Sequence, residues 1–183
     1  MAFLTCQPRR PLTTLVACLA LASPLLAQST APIEAQLKAV FLFNFAKYVT
    51  WRTPPAGNEG GDIRVCTTAK DAFFAMVQGA LEGERIDGRP LVAVALDGLD
   101  DARSCHILYV GDANTPDARA WFGAVRNDDV LTVGDGMAVD EPAIGFVRDQ
   151  NRLRFDVNRA SAARHHVTIS AKLLRLARHV QER

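Results

Sequence analysis

Apolar positions change their spacing several times along this chain, and each change marks an element. From Ile33 to Trp51 they recur at helical intervals, with Pro32 placed in a first turn where its missing N–H costs nothing, so one long helix is expected. Thr53-Pro54-Pro55-Ala56-Gly57 stops it. After the polar loop Asn58 to Gly61, Asp62 to Cys66 alternates and reads as a short strand with Ile63 and Val65 on one side. Lys70 to Leu81 returns to helical spacing, carrying Phe73, Phe74, Val77 and Leu81 on one face, and Gly83 and the Asp87-Gly88 turn close it. Leu91 to Leu96 and Cys105 to Val110 are unbroken apolar runs, the pattern of strands covered on both faces.

The second half continues the alternation of strand and helix. Thr115-Pro116-Asp117 combines a capping residue with proline at the first helical position, and Ala118, Trp121, Phe122 and Val125 follow at inward-facing intervals. Val130 to Val133 is strand-like and ends in Gly134-Asp135-Gly136. Ile144 to Arg148 and Leu153 to Val157 then face each other across Asp149-Gln150-Asn151-Arg152 as an antiparallel hairpin. The tail, Asn158 to Val180, reads as helical with a break near Val167-Thr168-Ile169-Ser170, after which Leu173, Leu174, Ala177 and Val180 form an apolar stripe. The expected fold is α/β: a single domain with a mixed sheet, flanked by helices and closed by a C-terminal antiparallel hairpin.

The first 27 residues do not belong to that domain. Arg9 and Arg10 precede an apolar and small-residue run, Leu12 to Leu26, that ends in Ala27, the layout of a secretory signal peptide. Residues 28–183 would form the mature α/β domain, exported to the periplasm. Two alternatives stand beside this reading. A membrane anchor is disfavoured because Thr13, Thr14, Ser23 and Pro24 interrupt a run already short for a spanning helix of about 20 residues. Leu15-Val16-Ala17-Cys18 has the pattern of a lipoprotein box, which would leave a lipid on Cys18, but the apolar run continues past it.

Composition narrows the partners. The 183 residues carry 21 Lys+Arg against 20 Asp+Glu, a formal net charge of +1, with 49% hydrophobic residues. That balance excludes a disordered chain and offers no broad cationic field for nucleic acid or an anionic membrane surface. Removing the signal removes two arginines and no acid, so the remainder stays close to neutral. Cys6 and Cys18 leave with it, and Cys66 and Cys105 remain as an even pair in an oxidising compartment, which favours a disulfide over two buried thiols.

No residue pattern points strongly to catalysis. The chain has no Gly-x-Ser-x-Gly, no His-Glu-x-x-His and no Walker loop. Asp97, Asp100 and Asp101, and separately Asp128, Asp129 and Asp135, lie in loops at strand ends, where α/β enzymes place reactive groups. An enzyme acting on a small molecule would use the second group with His106 as base. His165 and His166 are adjacent and point apart, so they do not share a metal. Neither metal nor cofactor is expected.

Binding is better supported. In Leu37 to Val49 only Lys38, Asn44 and Lys47 interrupt apolar residues, more than the buried face of a surface helix needs. Phe41, Phe45, Tyr48 and Trp51 are therefore candidate apolar anchors for a partner. On the expected last helix Lys172, Arg175 and His179 form a basic stripe, which makes Arg175, Arg178 and His179 a candidate polar rim.

The ordered set Ala39 to Trp51, Cys66, Cys105-His106-Ile107-Leu108-Tyr109-Val110, Val130 to Asp135, Asn151 to Asn158 and Ile169 to Arg178 resembles the YfiR family over almost the whole mature chain. The resemblance implies a periplasmic α/β protein, often a homodimer. Such a protein binds the periplasmic region of an inner-membrane diguanylate cyclase and holds it inactive, lowering cyclic-di-GMP and biofilm output. It further implies release through an OmpA-like outer-membrane lipoprotein, and relatives that accompany histidine kinases or transporters. Cys66 and Cys105 match one disulfide of the family, whereas a second has no counterpart, since Gly134 to Val147 contains no cysteine.

Overall fold

The computed structural model describes residues 31–54, 61–138 and 140–182; the leader, with the signal-peptide and Cys18 readings, lies outside them. The described residues begin with helix α1 (Ala31–Tyr48), which gives way to a short strand β1 (Val49–Trp51). Strand β2 (Ile63–Thr67), helix α2 (Ala72–Leu81), the two-residue β3 (Arg85–Ile86) and β4 (Arg89–Ala95) follow. A 3₁₀ segment (Leu99–Ser104) precedes β5 (Ile107–Asp112), α3 (Pro116–Ala124) and β6 (Leu131–Asp135). Strands β7 (Ile144–Asp149) and β8 (Arg152–Asn158) make the hairpin, and α4 (Arg159–Arg164), β9 (Val167–Ile169), α5 (Ala171–Leu174) and β10 (His179–Gln181) complete the chain.

Eight strands form one mixed sheet in the order β10-β8-β7-β6-β5-β2-β4-β3. Its centre, β4-β2-β5-β6-β7, is parallel, and the order reverses direction at β2, the doubly wound arrangement that the alternating strand and helix signals predict. Both hairpins use two-residue turns with left-handed backbone. Asp87 (φ 50°) and Gly88 (φ 81°) join β3 to β4, and Gln150 (φ 45°) and Asn151 (φ 61°) join β7 to β8.

Of the two unbroken apolar runs, the one in β5 is buried on both faces, as is β2, whereas Val92 to Ala95 of β4 are only half-buried. Val65, Ile107 and Tyr109 point into a core shared with α1 and α2, while Cys66, Leu108 and Val110 point into a second core under α3 and the 3₁₀ segment. In that second core Cys66 and Cys105 form the disulfide, with Cα atoms 5.9 Å apart. Helix starts follow their capping residues: Asp71 accepts from the Phe74 amide at 3.0 Å, Thr115 from Ala118 at 3.1 Å, and Asn158 from Ser161 at 3.0 Å.

Two expectations are corrected. The first helix ends at Tyr48, because Val49–Trp51 pairs antiparallel with β9 as a separate two-stranded sheet. The tail is not one broken helix: the supposed break is strand β9, α5 is a single turn, and β10 lies parallel to β8. Between β6 and β7 the backbone doubles back so tightly that a Cβ at Gly145 would run into the Gly136 carbonyl oxygen and the Met137 side chain.

Candidate interaction surface

The four apolar anchors proposed from sequence do not share one surface. Phe45 is 0% exposed. Its ring lies 5.6 Å from Phe146 and 5.2 Å from Phe155, centroid to centroid, in the core between α1 and the hairpin. This corrects its assignment as an anchor; it is a core residue. Phe41 is half-buried beside the same rings, at 5.9 Å from Phe146 and 5.8 Å from Phe155. Tyr48 is half-buried under the Lys172 ammonium, 5.0 Å from its centroid. Trp51, also half-buried, donates its indole N–H to the His106 carbonyl at 2.8 Å and meets the His106 ring edge-on.

The basic stripe is corrected too. Arg175 is the carboxyl-terminal cap of α5, and His179 opens β10, so Lys172, Arg175 and His179 do not lie along one helix. Arg178 forks onto Asp156, with Nε 2.9 Å from Oδ1 and a second bond to Oδ2, and this pairing raises its pKa above the ordinary arginine value. Its amide donates to the Phe155 carbonyl at 2.9 Å, so it pins β10 to β8. Arg175 and His179 are exposed.

What α1 does leave to solvent is a different stripe. Ile33 (64%), Leu37 (41%) and Val40 (48%) stand at i, i+4 and i+7, three of the five large exposed hydrophobics among the described residues. A concavity of about 580 Å³ runs along one side of this stripe, lined by Met76, Gly79 and Ala80 of α2. Another of about 440 Å³ runs along the other side, lined by Arg148, Asn151, Arg152 and Leu153 of the hairpin. Ile33 and Leu37 belong to both. The greasy segment read from sequence started at Leu37 and favoured aromatics; the spacing of Ile33, Leu37 and Val40 was the signal that separates the exposed stripe from the core one.

The loop acids do not assemble a reactive site around His106. Asp128 pairs with Arg103 at 3.3 Å, and Asp129 accepts from Thr53 and lies 3.5 Å from His166 Nδ1 and 3.8 Å from Arg52. Asp135 sits at the other end of β6, taking the Lys38 ammonium at 2.8 Å and the Tyr109 hydroxyl at 3.0 Å. His106 bonds to the amide that opens β6, so Asp135, four residues along, is about 13 Å away by strand rise. His106 itself is buried, with its ring nitrogens facing the Arg64 amide (3.2 Å) and the Arg89 guanidinium (2.8 Å). Burial first, then the Arg89 charge, pulls it down to about 4. Among the described residues no group of three or more His, Cys, Asp or Glu could hold a metal ion.

One buried polar cluster was missed by sequence. Glu141 accepts from Thr132 Oγ1 (2.8 Å), Ser161 Oγ (2.6 Å), His165 Nε2 (3.0 Å) and Arg164 (3.3 Å). Burial pushes its carboxyl up, but the bonds from His165, Ser161 and Thr132 outweigh this and hold it below the ordinary carboxylate value. The partners lie 9 to 24 residues away, and no local spacing announces them.

Among known families, the profile described as YfiR/HmsC-like matches residues 35–178. No curated protein matches the chain.

Proposed function

Because the chain belongs to the YfiR/HmsC-like family, we propose that it is a periplasmic regulatory binding protein that represses an inner-membrane diguanylate cyclase by occupying its periplasmic region. The match over residues 35–178 carries this reading, since it runs from inside α1 through α5 and stops just before β10. The family is regulatory rather than catalytic, and the scattering of Asp128, Asp129 and Asp135 into separate ion pairs, with His106 hydrogen-bonded to Arg89 away from Asp135, fits a protein without turnover.

Stoichiometric repression has a simple energetic requirement. Binding shifts the client between active and inactive states only by the difference in affinity for the two. The test is affinity capture from membranes followed by a cyclase assay with increasing regulator. Cyclic-di-GMP synthesis should fall and level off once regulator equals cyclase. Capture of a histidine kinase or a transporter instead would move the client to another sensor class. Multiple turnover of a small molecule by the purified protein would overturn the binding reading altogether. Self-association as a homodimer and sequestration by an OmpA-like lipoprotein belong to the same proposal.

A further inference from the structure

We propose that the client is gripped at the Ile33, Leu37 and Val40 stripe of α1, and that the occupant is an amphipathic helix of the membrane partner with an acidic flank. This rests on the regulatory reading above and gives it a location that the aromatic anchors do not.

Three observations carry it. The stripe presents apolar side chains over two helical turns with a concavity on each side, which is the receiving half of a helix-in-groove contact read at i, i+4 and i+7. Contiguous exposed apolar surface of this kind marks interaction sites. Gly79 is the second observation. It lies inside α2, where glycine weakens a helix by roughly 1 kcal/mol relative to alanine, yet a Cβ there would meet nothing within 4 Å. Packing among the described residues gives no reason for a glycine there; the close approach of another backbone along the α1–α2 groove does.

The third observation sets the sign of the occupant's charge. The hairpin rim of the stripe carries Arg148 and Arg152. Arg148 bonds Glu34, while Lys38, 3.2 Å from the same carboxylate, is held by Asp135 at 2.8 Å, and the Arg152 side chain has no partner among the described residues. Arg152 is therefore the one unpaired cation of the rim among the described residues, and it complements an Asp or Glu along one edge of an incoming helix. A second copy of this chain would bring the same arginines against themselves about a two-fold axis, which disfavours it as the occupant.

The experiment places a photo-crosslinker in the chain, Val40→p-benzoylphenylalanine, in cells that export it, with the same group at exposed Gly123 on α3 as control. The crosslinked peptide is then sequenced. The expected adduct, from position 40 only, is a periplasmic helix of a membrane protein with apolar residues at i, i+3 or i+4 and i+7 and carboxylates on one flank. Leu37→Glu should abolish the adduct and weaken capture at least tenfold with the melting temperature unchanged. Gly79→Gln should weaken capture while raising the melting temperature, a combination that a purely structural role for Gly79 does not give. An adduct to a second copy, to lipid, or equally from Gly123 overturns the proposal. If Leu37→Glu and Gly79→Gln leave capture and cyclase repression intact, this face is wrong and the regulatory reading stands. If the wild-type chain neither captures nor represses a membrane protein, both fall.

Discussion

His165 Nε2 lies 3.0 Å from Glu141 Oε1, and the two side chains are closed off from solvent between β6 and α4. A carboxylate only accepts, so the ring donates through Nε2. The bond ties α4 to the 136–143 segment, where the chain passes from β6 to β7. With three further donors on the same carboxylate, Glu141 fastens this segment to its neighbours.

Removing that carboxylate strands several buried donors at once. Glu141→Ala should destabilise the fold by about 2–4 kcal/mol, read as a lower urea midpoint at unchanged slope. Glu141→Gln should cost less, because its amide oxygen still accepts. Equal stability of Glu141→Ala and the parent chain would show that the network contributes nothing net.

The core strands were legible in sequence because each is settled locally. Unbroken apolar runs at Leu91 to Leu96 and Cys105 to Val110 fill both faces of the sheet, and Thr115-Pro116 fixes the start of α3 by its own capping bond. The tail was not legible, because its conformation is decided by distant partners. Val167-Thr168-Ile169 becomes a strand by pairing with Val49–Trp51, and His179–Gln181 by lying beside Asp156–Asn158. Their apolar spacing fits a helix equally well, so periodicity alone misreads them. The same holds for the candidate surface. Sequence located the greasy helix, but only packing against Phe146 and Phe155 shows that Phe45 faces in and Leu37 faces out.

Phe45 should accordingly behave as core. Phe45→Ala is expected to cost about 3–5 kcal/mol of stability, the range for emptying a packed aromatic site. Chemical denaturation checks it. A variant that kept full stability and lost only client affinity would return Phe45 to the role of anchor.

His106 gives the fold a dependence on pH with a definite sign. Its ordinary value of 6.5 is lowered to about 4 in the folded state, by burial first and then by Arg89. Between those values the unfolded chain takes up a proton that the folded one refuses. The stabilisation is therefore complete above pH 6.5 and is lost as pH falls through 4, by roughly 3 kcal/mol in total from this group. Urea midpoints measured from pH 7 down to 4.5 should decline, and His106→Asn, though less stable at pH 7, should flatten that decline. A slope identical in the variant would assign the acid sensitivity to other groups.

The Cys66–Cys105 bridge closes a loop of 39 residues, worth roughly 3–4 kcal/mol in the chain-entropy account. Replacing both cysteines by alanine should lower stability by about that amount. The bridge sits in the core under α3, on the face of the sheet opposite α1, whereas Ile33, Leu37 and Val40 stand on α1 itself. Loss of the disulfide should therefore lower the denaturation midpoint and leave client affinity unchanged wherever the chain remains folded. Titrating client binding against the double variant at a temperature well below its melting point separates the two effects. A large drop in affinity under those conditions would instead make the bridge a redox control on binding, transmitted through the sheet.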